Sequence, residues 1–471
     1  MSVRSIVDKS LALNNSRRNY IFINVLITCI AASLLTTSLT TALPAIVNEF
    51  GVSVSIGQWL TSGYFLIMAI SMPLTAYLVT RIPTKRLYLV AIAVFIIGSI
   101  TCLVAPVFSV MIVGRSLQAA SSGVLIAMAQ VIILTIFPIH KLGFVMGWYG
   151  LAIGVAPIIA PTIAGVLVDN GGWEMIFIII SVIMVITFIS AIFVMEDVLD
   201  TYVSKFDFYS FILCILTFGG VTLSIGNLAT YGFSNPIVYI PLIIGGISAI
   251  LFIVTQLNLD EPLLDLRMVK DHDFRISLIS SMILYLLMMG TTLILPLYLQ
   301  QIKELSATHS GLALLPGALA LAIISPFAGN IYDRIGIKRI FILGSLLIAI
   351  SNIGMALITI ETSLNIPIIL NIIRNIGFGF LLMPLVTWGM ENVRDSLTAH
   401  GTALLTSLRT VAGAIGPALF VSIMNSVAAQ SANSHGDAAF MHGLNITFYT
   451  ISGFSIVLLL LPILFIRSKK D

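Results

Sequence analysis

Long apolar runs recur along the whole chain, separated by short polar segments. They fall at residues 20–44, 56–79, 87–105, 109–137, 142–168, 175–195, 207–228, 237–256, 275–299, 310–332, 339–360, 366–388, 399–426 and 440–466. About 20 apolar residues in helical conformation cross the hydrocarbon core of a bilayer. The runs are continuously apolar rather than alternating, which argues against a transmembrane barrel. The pattern predicts an all-α membrane protein with fourteen transmembrane helices.

Charge placement agrees with that count. Of the 23 Lys and Arg, 19 fall in the two tails and every second loop, while the other loops hold only Lys303. The excess of basic residues marks the cytoplasmic side, so both termini are expected in the cytoplasm. The remaining three, Arg115, Arg374 and Arg409, lie inside predicted helices. All 20 Asp and Glu fall in tails, in loops or at helix ends. Charged residues make up only 9% of the 471, with a mean hydropathy of +1.09. A globular surface needs about 25%, so the solvent of this chain is largely lipid. Cys29, Cys102 and Cys214 all sit in apolar runs, with neither a disulfide framework nor zinc spacing. The polar, basic start has no short apolar core with a cleavage site, and reads as a cytoplasmic tail.

The chain repeats itself. AYLVTRIPTKR (76–86) matches GNIYDRIGIKR (329–339), VGRSLQAASSG (113–123) matches NIIRNIGFGFL (371–381), and GVAPIIAPTIAG (154–165) matches AGAIGPALF (412–420). The pairs Arg86/Arg339, Arg115/Arg374 and Pro161/Pro417 are 253, 259 and 256 positions apart. A near-constant offset implies two parallel six-helix halves with two helices inserted between them. The expected divisions are a tail at 1–19, a first half at 20–195, an insert with flanking loops at 196–274, a second half at 275–466 and a tail at 467–471.

GNIYDRIGIKR resembles the loop signature of the major facilitator superfamily, G-x-x-x-D-R-x-G-x-K-R. The fourteen helices, the phrase ALPAI at 42–46 and EPLLDLRMV at 261–269 resemble its drug:proton antiporter branch, the EmrB/QacA type. The resemblance implies a major facilitator fold and a multi-pass, monomeric exporter in the cell membrane, and the many Ile, Asn and Ser suggest a bacterial source. It implies a small amphiphilic substrate and protons as partners. On the same resemblance, Asp333, Arg334, Gly336, Lys338 and Arg339 form a cytoplasmic latch, with Arg81, Lys85 and Arg86 as its first-half copy. That copy has Thr80 and Pro83 where the signature has Asp and Gly. A plain basic anchor with a glycine turn is the alternative for both loops.

A charge inside the membrane is a functional candidate by default, because it must face protein or water. Arg115 has Gln118 one turn away on the same face, and in relatives this arginine is tied to proton coupling; snorkelling to the outer surface is the other reading. Arg374 is its second-half equivalent, with Asn375 and Gly377 following. Arg409 sits near the middle of the thirteenth helix, facing either a cavity or a cluster of carbonyls. The fifth helix carries small residues at Gly147, Gly154 and Gly165 that let another helix approach, with Pro157 and Pro161 favouring a bend. It resembles the antiporter motif of exporters.

SLLTTSLTTALP (33–44) holds six hydroxyls and no charge. The resembled branch has a carboxylate in this helix, where this chain has Leu35. Ser33, Thr37 and Thr40/Thr41 fall on one stripe. Two readings stand: a polar cavity wall, or hydroxyls bonded back to their own helix. Without the acid, protonation falls to marginal carboxylates: Glu49, Asp169, Glu174, Asp207 and Glu391. The buried arginines then tilt the substrate toward neutral, zwitterionic or anionic amphiphiles. The leading expectation is proton-driven export of drug-like amphiphiles; the alternative is export of an endogenous anionic or lipid-like metabolite with unusual or absent proton coupling. No HExxH, nucleophile motif or phosphate loop occurs, so neither enzymatic chemistry nor ATP is expected, and no cofactor, metal or nucleic acid.

Overall fold

The computed structural model describes residues 14–52, 54–57, 59–199, 201, 206–259, 262–394, 397–430 and 437–466. The predicted tails therefore lie largely outside the described residues. Fourteen long helices follow one another: α1 (Asn15–Phe50), α2 (Trp59–Arg81), α3 (Thr84–Leu103), α4 (Phe108–Ile136), α5 (Ile139–Gly171), α6 (Glu174–Val194), α7 (Phe208–Tyr231), α8 (Pro236–Asn258), α9 (His272–Leu297), α10 (Ala307–Ile335), α11 (Ile337–Ala356), α12 (Asn365–Leu381, resuming as Pro384–Glu391), α13 (Thr398–Gln430) and α14 (Asp437–Phe465). Thirteen of these stretches are long and apolar enough to cross a membrane, and α5 adds a fourteenth helix of 33 residues. An even number of passes brings the start of α1 and the end of α14 to one end of the bundle, called here the terminal end.

Helix lengths depart from the apolar runs where proline is involved. The pattern ends the first helix at Pro44, but α1 continues to Phe50 and closes on Gly51 at φ +62°. Neighbouring helices re-satisfy backbone groups freed by a proline in a membrane bundle, so the helix need not stop. In α12 the reverse holds. The pattern predicts one helix at 366–388, whereas the helix breaks at Leu382–Met383 ahead of Pro384, because proline has no N–H to bond the carbonyl four residues back and its ring crowds that carbonyl. α9 ends in one wide π turn at Tyr298–Ile302.

α1–α6 pack among themselves, as do α9–α14, and the two groups meet chiefly along α5–α10 and α2–α13. α7 and α8 pair with each other, and α7 also touches α2 and α13. Burial separates inner from lipid-facing helices. The apolar stretch of α4 is 83% buried within the protein, against 22% for α8, whose Ile243, Ile247 and Ile250 point outward. An isoleucine-rich outer face is stable only against lipid.

Within each half, the third and fourth helices touch backbone to backbone. A Cβ on Gly98 would lie 2.7 Å from the Gly114 carbonyl, and one on Gly377 would lie 2.6 Å from the Gly344 carbonyl. Such contacts admit only glycine.

Candidate functional site

The three membrane arginines have different surroundings. On insertion scales an arginine at helix centre costs about 2.5–3.5 kcal/mol, so each needs partners. Arg115 has them. Its Nε and Nη2 both donate to the Leu60 carbonyl at 3.2 Å, and its Nη1 donates to Gln118 Oε1 at 3.0 Å. Gln118 in turn donates to Ser99 Oγ at 2.7 Å. The guanidinium lies 4.1 Å from the centre of the Tyr64 ring, whose hydroxyl donates to Ser122. Arg115 is thus a hub tying α2, α3 and α4 inside the first half. A recess of about 400 Å³ between α2 and α4 reaches it, lined by Trp59, Phe108 and Ile112 among others. Ile56 and Trp59 at its rim are roughly half exposed on the outside of the bundle, so the recess faces lipid rather than the seam between halves.

Arg374 is 2% exposed. Its Nη2 donates to Asn371 Oδ1 at 2.7 Å, an oxygen also taken by Asn375 Nδ2 at 2.9 Å. Its Nε and Nη1 have no partner among the described residues. Gly317 of α10 lets the backbone pass against both asparagines.

Arg409 alone faces the seam. It lines a cavity of about 60 Å³ enclosed by Ser33, Thr36 and Thr37 of α1, Phe65, Met68 and Met72 of α2, Ile126 of α4, Ile153 and Pro157 of α5, Tyr285 and Met289 of α9, and α13. These positions sit near the middle of their helices, so the cavity is at mid-depth. The Arg409 guanidinium stacks over Tyr285 with its carbon 5.0 Å from the ring centre, and nearby the Tyr149 hydroxyl donates to the Ile126 carbonyl at 2.9 Å. Its Nη1 has no partner among the described residues. Nearby, Thr406 donates to Gln130 Oε1 at 3.4 Å, and the Gln130 Nε2 is also unpartnered. No described residue lining this cavity is acidic.

The first-helix hydroxyls divide between the two sequence readings. Thr36 and Ser38 bond back to the carbonyls of Ala32 and Leu34. Thr37 instead donates across to the Pro157 carbonyl of α5 at 2.8 Å. That carbonyl would normally accept from the amide four residues on, which is Pro161 and has no N–H. Thr37 therefore fills a gap the proline creates. Among the described hydroxyls of α1 the cavity wall holds Ser33, Thr36 and Thr37, so Thr36 joins the expected Ser33 and Thr37 while Thr41 is not part of it. Thr41 meets Gly165 at the outer part of α1 and α5. The side chains of Thr40 and Pro161 lie outside the described residues. Leu35 is fully buried and is absent from the cavity wall.

The small residues of α5 build the seam. A Cβ on Gly147 would lie 2.5 Å from the Ser325 carbonyl and 2.8 Å from Pro326 Cα of α10. Gly150 and Gly154 pack against Met383 and Leu382 of α12. The stripe continues to Gly143, whose backbone meets that of Gly329. Closure therefore lies between the cavity and the terminal end.

A family model described as Major Facilitator Superfamily matches residues 25–417. The chain belongs to the major facilitator superfamily. Lincomycin resistance protein LmrB of Listeria innocua is 33% identical over 390 residues, 83% of each chain. Multidrug export protein EmrB of Haemophilus influenzae is 27% identical over 387 residues, 80% of this chain and 75% of that one. The solved proton:xylose symporter XylE superposes with a TM-score of 0.68 at 12% identity, covering 97% of this chain and 98% of the other. The all-α major facilitator fold, a multi-pass place in the cell membrane and a role as a transporter of small molecules rather than an enzyme follow from these matches.

The major facilitator loop residues behave unequally in the two halves. Gly336 adopts φ +77° between α10 and α11, a conformation open to glycine and costly for most residues. The carboxylate of Asp333 lies 2.9 Å from where a Cβ on Gly143 would sit, against the first turns of α5. It therefore reaches across the seam. In the first-half loop Lys85 stays within its own half: its Nζ donates to the Ile192 carbonyl at 2.6 Å and its amide to Asp197 at 2.9 Å. Arg86, Arg334 and Arg339 are exposed, Lys338 is half-buried, and Arg81 ends α2.

The candidate proton carriers all sit at helix ends. Glu49 accepts from Trp173 Nε1 at 2.6 Å, Asp207 caps α7 through the Ser210 amide at 3.1 Å, and Glu391 accepts from the Tyr332 hydroxyl at 3.0 Å. Asp169 is exposed near the end of α5, and Glu174 opens α6. Sequence reasoning missed Gly143, Tyr149, Tyr285 and Gln130. Only Gly143 carries a legible signal, being one more four-residue step in the α5 stripe.

Proposed function

We propose that this chain is a secondary exporter of drug-like amphiphiles, working by alternating access and drawing on the proton gradient. The observation that carries the reading is the mid-depth cavity where the two halves meet. Its walls mix methionine and aromatic surface with a few hydroxyls and one cation, the composition of a site for amphiphiles of varied shape. At about 60 Å³ it admits a few waters, whereas drug-sized ligands need about 300–1,000 Å³. The halves must therefore part before substrate enters, and the glycine stripe of α5 is where they can. The drug-resistance and multidrug-export names of the relatives support an export direction. Asp333 against α5 supports a latch that steadies the closed terminal end. Arg115 and Gln118 serve this cycle by holding α2, α3 and α4 as one block.

The test is flux in proteoliposomes holding the full-length protein, using a lipophilic dye and a neutral antibiotic, with and without an imposed pH gradient. Gradient-driven uphill transport supports the whole reading. Downhill flux indifferent to the gradient removes the proton drive and leaves the exporter. No flux of either compound overturns it.

A further inference from the structure

Resting on the exporter reading, we infer that Arg409 is the substrate anchor and that preferred substrates carry an anionic group on an aromatic or apolar body. The three arginines compete for this role, and their partners decide it. Arg115 spends its donors on Leu60 and Gln118 and faces away from the seam. Arg374 does not line the central cavity. Arg409 lines it, is 1% exposed, and keeps Nη1 without a partner.

An unpaired cation at mid-depth is expensive, and such residues persist where they face a cavity or a ligand. No acidic side chain is available among the described residues: the cavity wall holds none, and every described carboxylate lies in a loop or at a helix end. A substrate carboxylate or sulfonate would supply both the missing acceptor and the missing charge. The planar guanidinium offers it two parallel donors. Tyr285, its ring centre 5.0 Å from the guanidinium carbon, supports that fork from one side. The flexible thioethers of Met68, Met72 and Met289 then accommodate the apolar body. A lipophilic cation meets the opposite situation, a like charge in a low-dielectric chamber with nothing to offset it.

Three fluorescent amphiphiles with one shared ring system isolate charge: dansylglycine (anionic), dansylamide (neutral) and dansylcadaverine (cationic). Binding and flux are measured on the full chain in nanodiscs and proteoliposomes. The wild type is expected to bind dansylglycine at least tenfold more tightly than dansylcadaverine. Arg409→Gln should erase that ratio while thermal stability holds or rises, since removing an uncompensated buried charge relieves the fold. Arg409→Lys keeps the charge but loses the fork, and should retain a reduced preference. If Arg409→Gln does not fold, the wild-type ratio and Arg409→Lys still decide. Equal or tighter binding of dansylcadaverine, or an unchanged ratio in Arg409→Gln, overturns the anchor and leaves the exporter standing. Absence of flux for all three overturns both.

Discussion

Replacing Thr37 by Val removes one hydroxyl and almost no volume, and with it the bond from Thr37 to the Pro157 carbonyl. A buried acceptor left unpaired costs about 1–3 kcal/mol. Hydrogen bonds between membrane helices average about 0.6 kcal/mol and reach about 1.7, because alternative partners usually exist. Here the alternative is restricted. The donor that α5 itself would provide is absent, since residue 161 is proline, and only a cavity water could substitute. The expected cost is therefore toward the upper part of the membrane range, about 1–1.5 kcal/mol. Pro161→Ala should rescue it, because the new amide at 161 can donate to the same carbonyl along the helix. With Ala at 161, Thr37→Val should cost no more than a few tenths of a kcal/mol, giving a coupling of about 1 kcal/mol in a double-mutant cycle. The assay is apparent unfolding free energy of the four proteins in mixed micelles. A Thr37→Val cost that is the same in both backgrounds would falsify the account of Thr37 as a substitute for the missing amide.

Gly147→Leu places a side chain into the Ser325 carbonyl and Pro326 backbone, which cannot swing aside. Overpacking of this kind costs about 1–3 kcal/mol, shifting the population away from the closed terminal end by roughly 5- to 150-fold. Spin-label distances across the terminal ends of α5 and α10 should lengthen and flux should fall; unchanged distances refute the seam. Arg115→Lys cannot reproduce the paired donors to Leu60 together with the bond to Gln118. Flux should drop tenfold or more with expression retained, and wild-type flux in that variant sinks the hub.

What the sequence makes legible is what repeats or carries charge. Fourteen passes emerge because the Lys and Arg asymmetry checks the count of apolar runs. The Arg115–Gln118 pair is visible because residues three apart share a helix face. Its main acceptor is not, since Leu60 contributes a backbone oxygen from another helix and leaves no residue-type signature. The stripe Gly147, Gly150, Gly154 is readable on α5, but nothing in the sequence says that Gly329 of α10 opposes its end. Tyr149, Tyr285 and Gln130 were hidden among neutral apolar neighbours, where a cavity residue and a core residue look alike. Thr36 lines the cavity and Thr41 does not, because the described wall on α1 is confined to the middle of the helix.

Two six-helix halves can rock only if ties within each half outlast those across the seam, and the hydrogen bonds follow that division. In the first half Asn24 donates to the Thr187 carbonyl at 3.0 Å, Thr28 meets the Tyr88 hydroxyl at 2.7 Å, and Gln118 meets Ser99 at 2.7 Å. In the second, Ser277 donates to the Leu385 carbonyl at 2.6 Å and Asn352 to Ser455 at 2.8 Å. Across the seam, the bonds from Thr406 to Gln130 and from Thr410 to the Met72 sulfur are both 3.4 Å, at the weak end for oxygen acceptors and ordinary only for sulfur. Among the described residues the α5 side of the seam is otherwise mostly glycine against backbone and the Met383 and Leu382 side chains, held by dispersion that is small per atom pair, with the Asp333 carboxylate added at the terminal end. Dispersion falls off steeply with separation and the directed bonds across the seam are few and long, so the seam can part at modest cost while each half keeps its polar ties. Polar residues concentrate inside the halves, and small residues line the surface between them. That distribution is what alternating access requires.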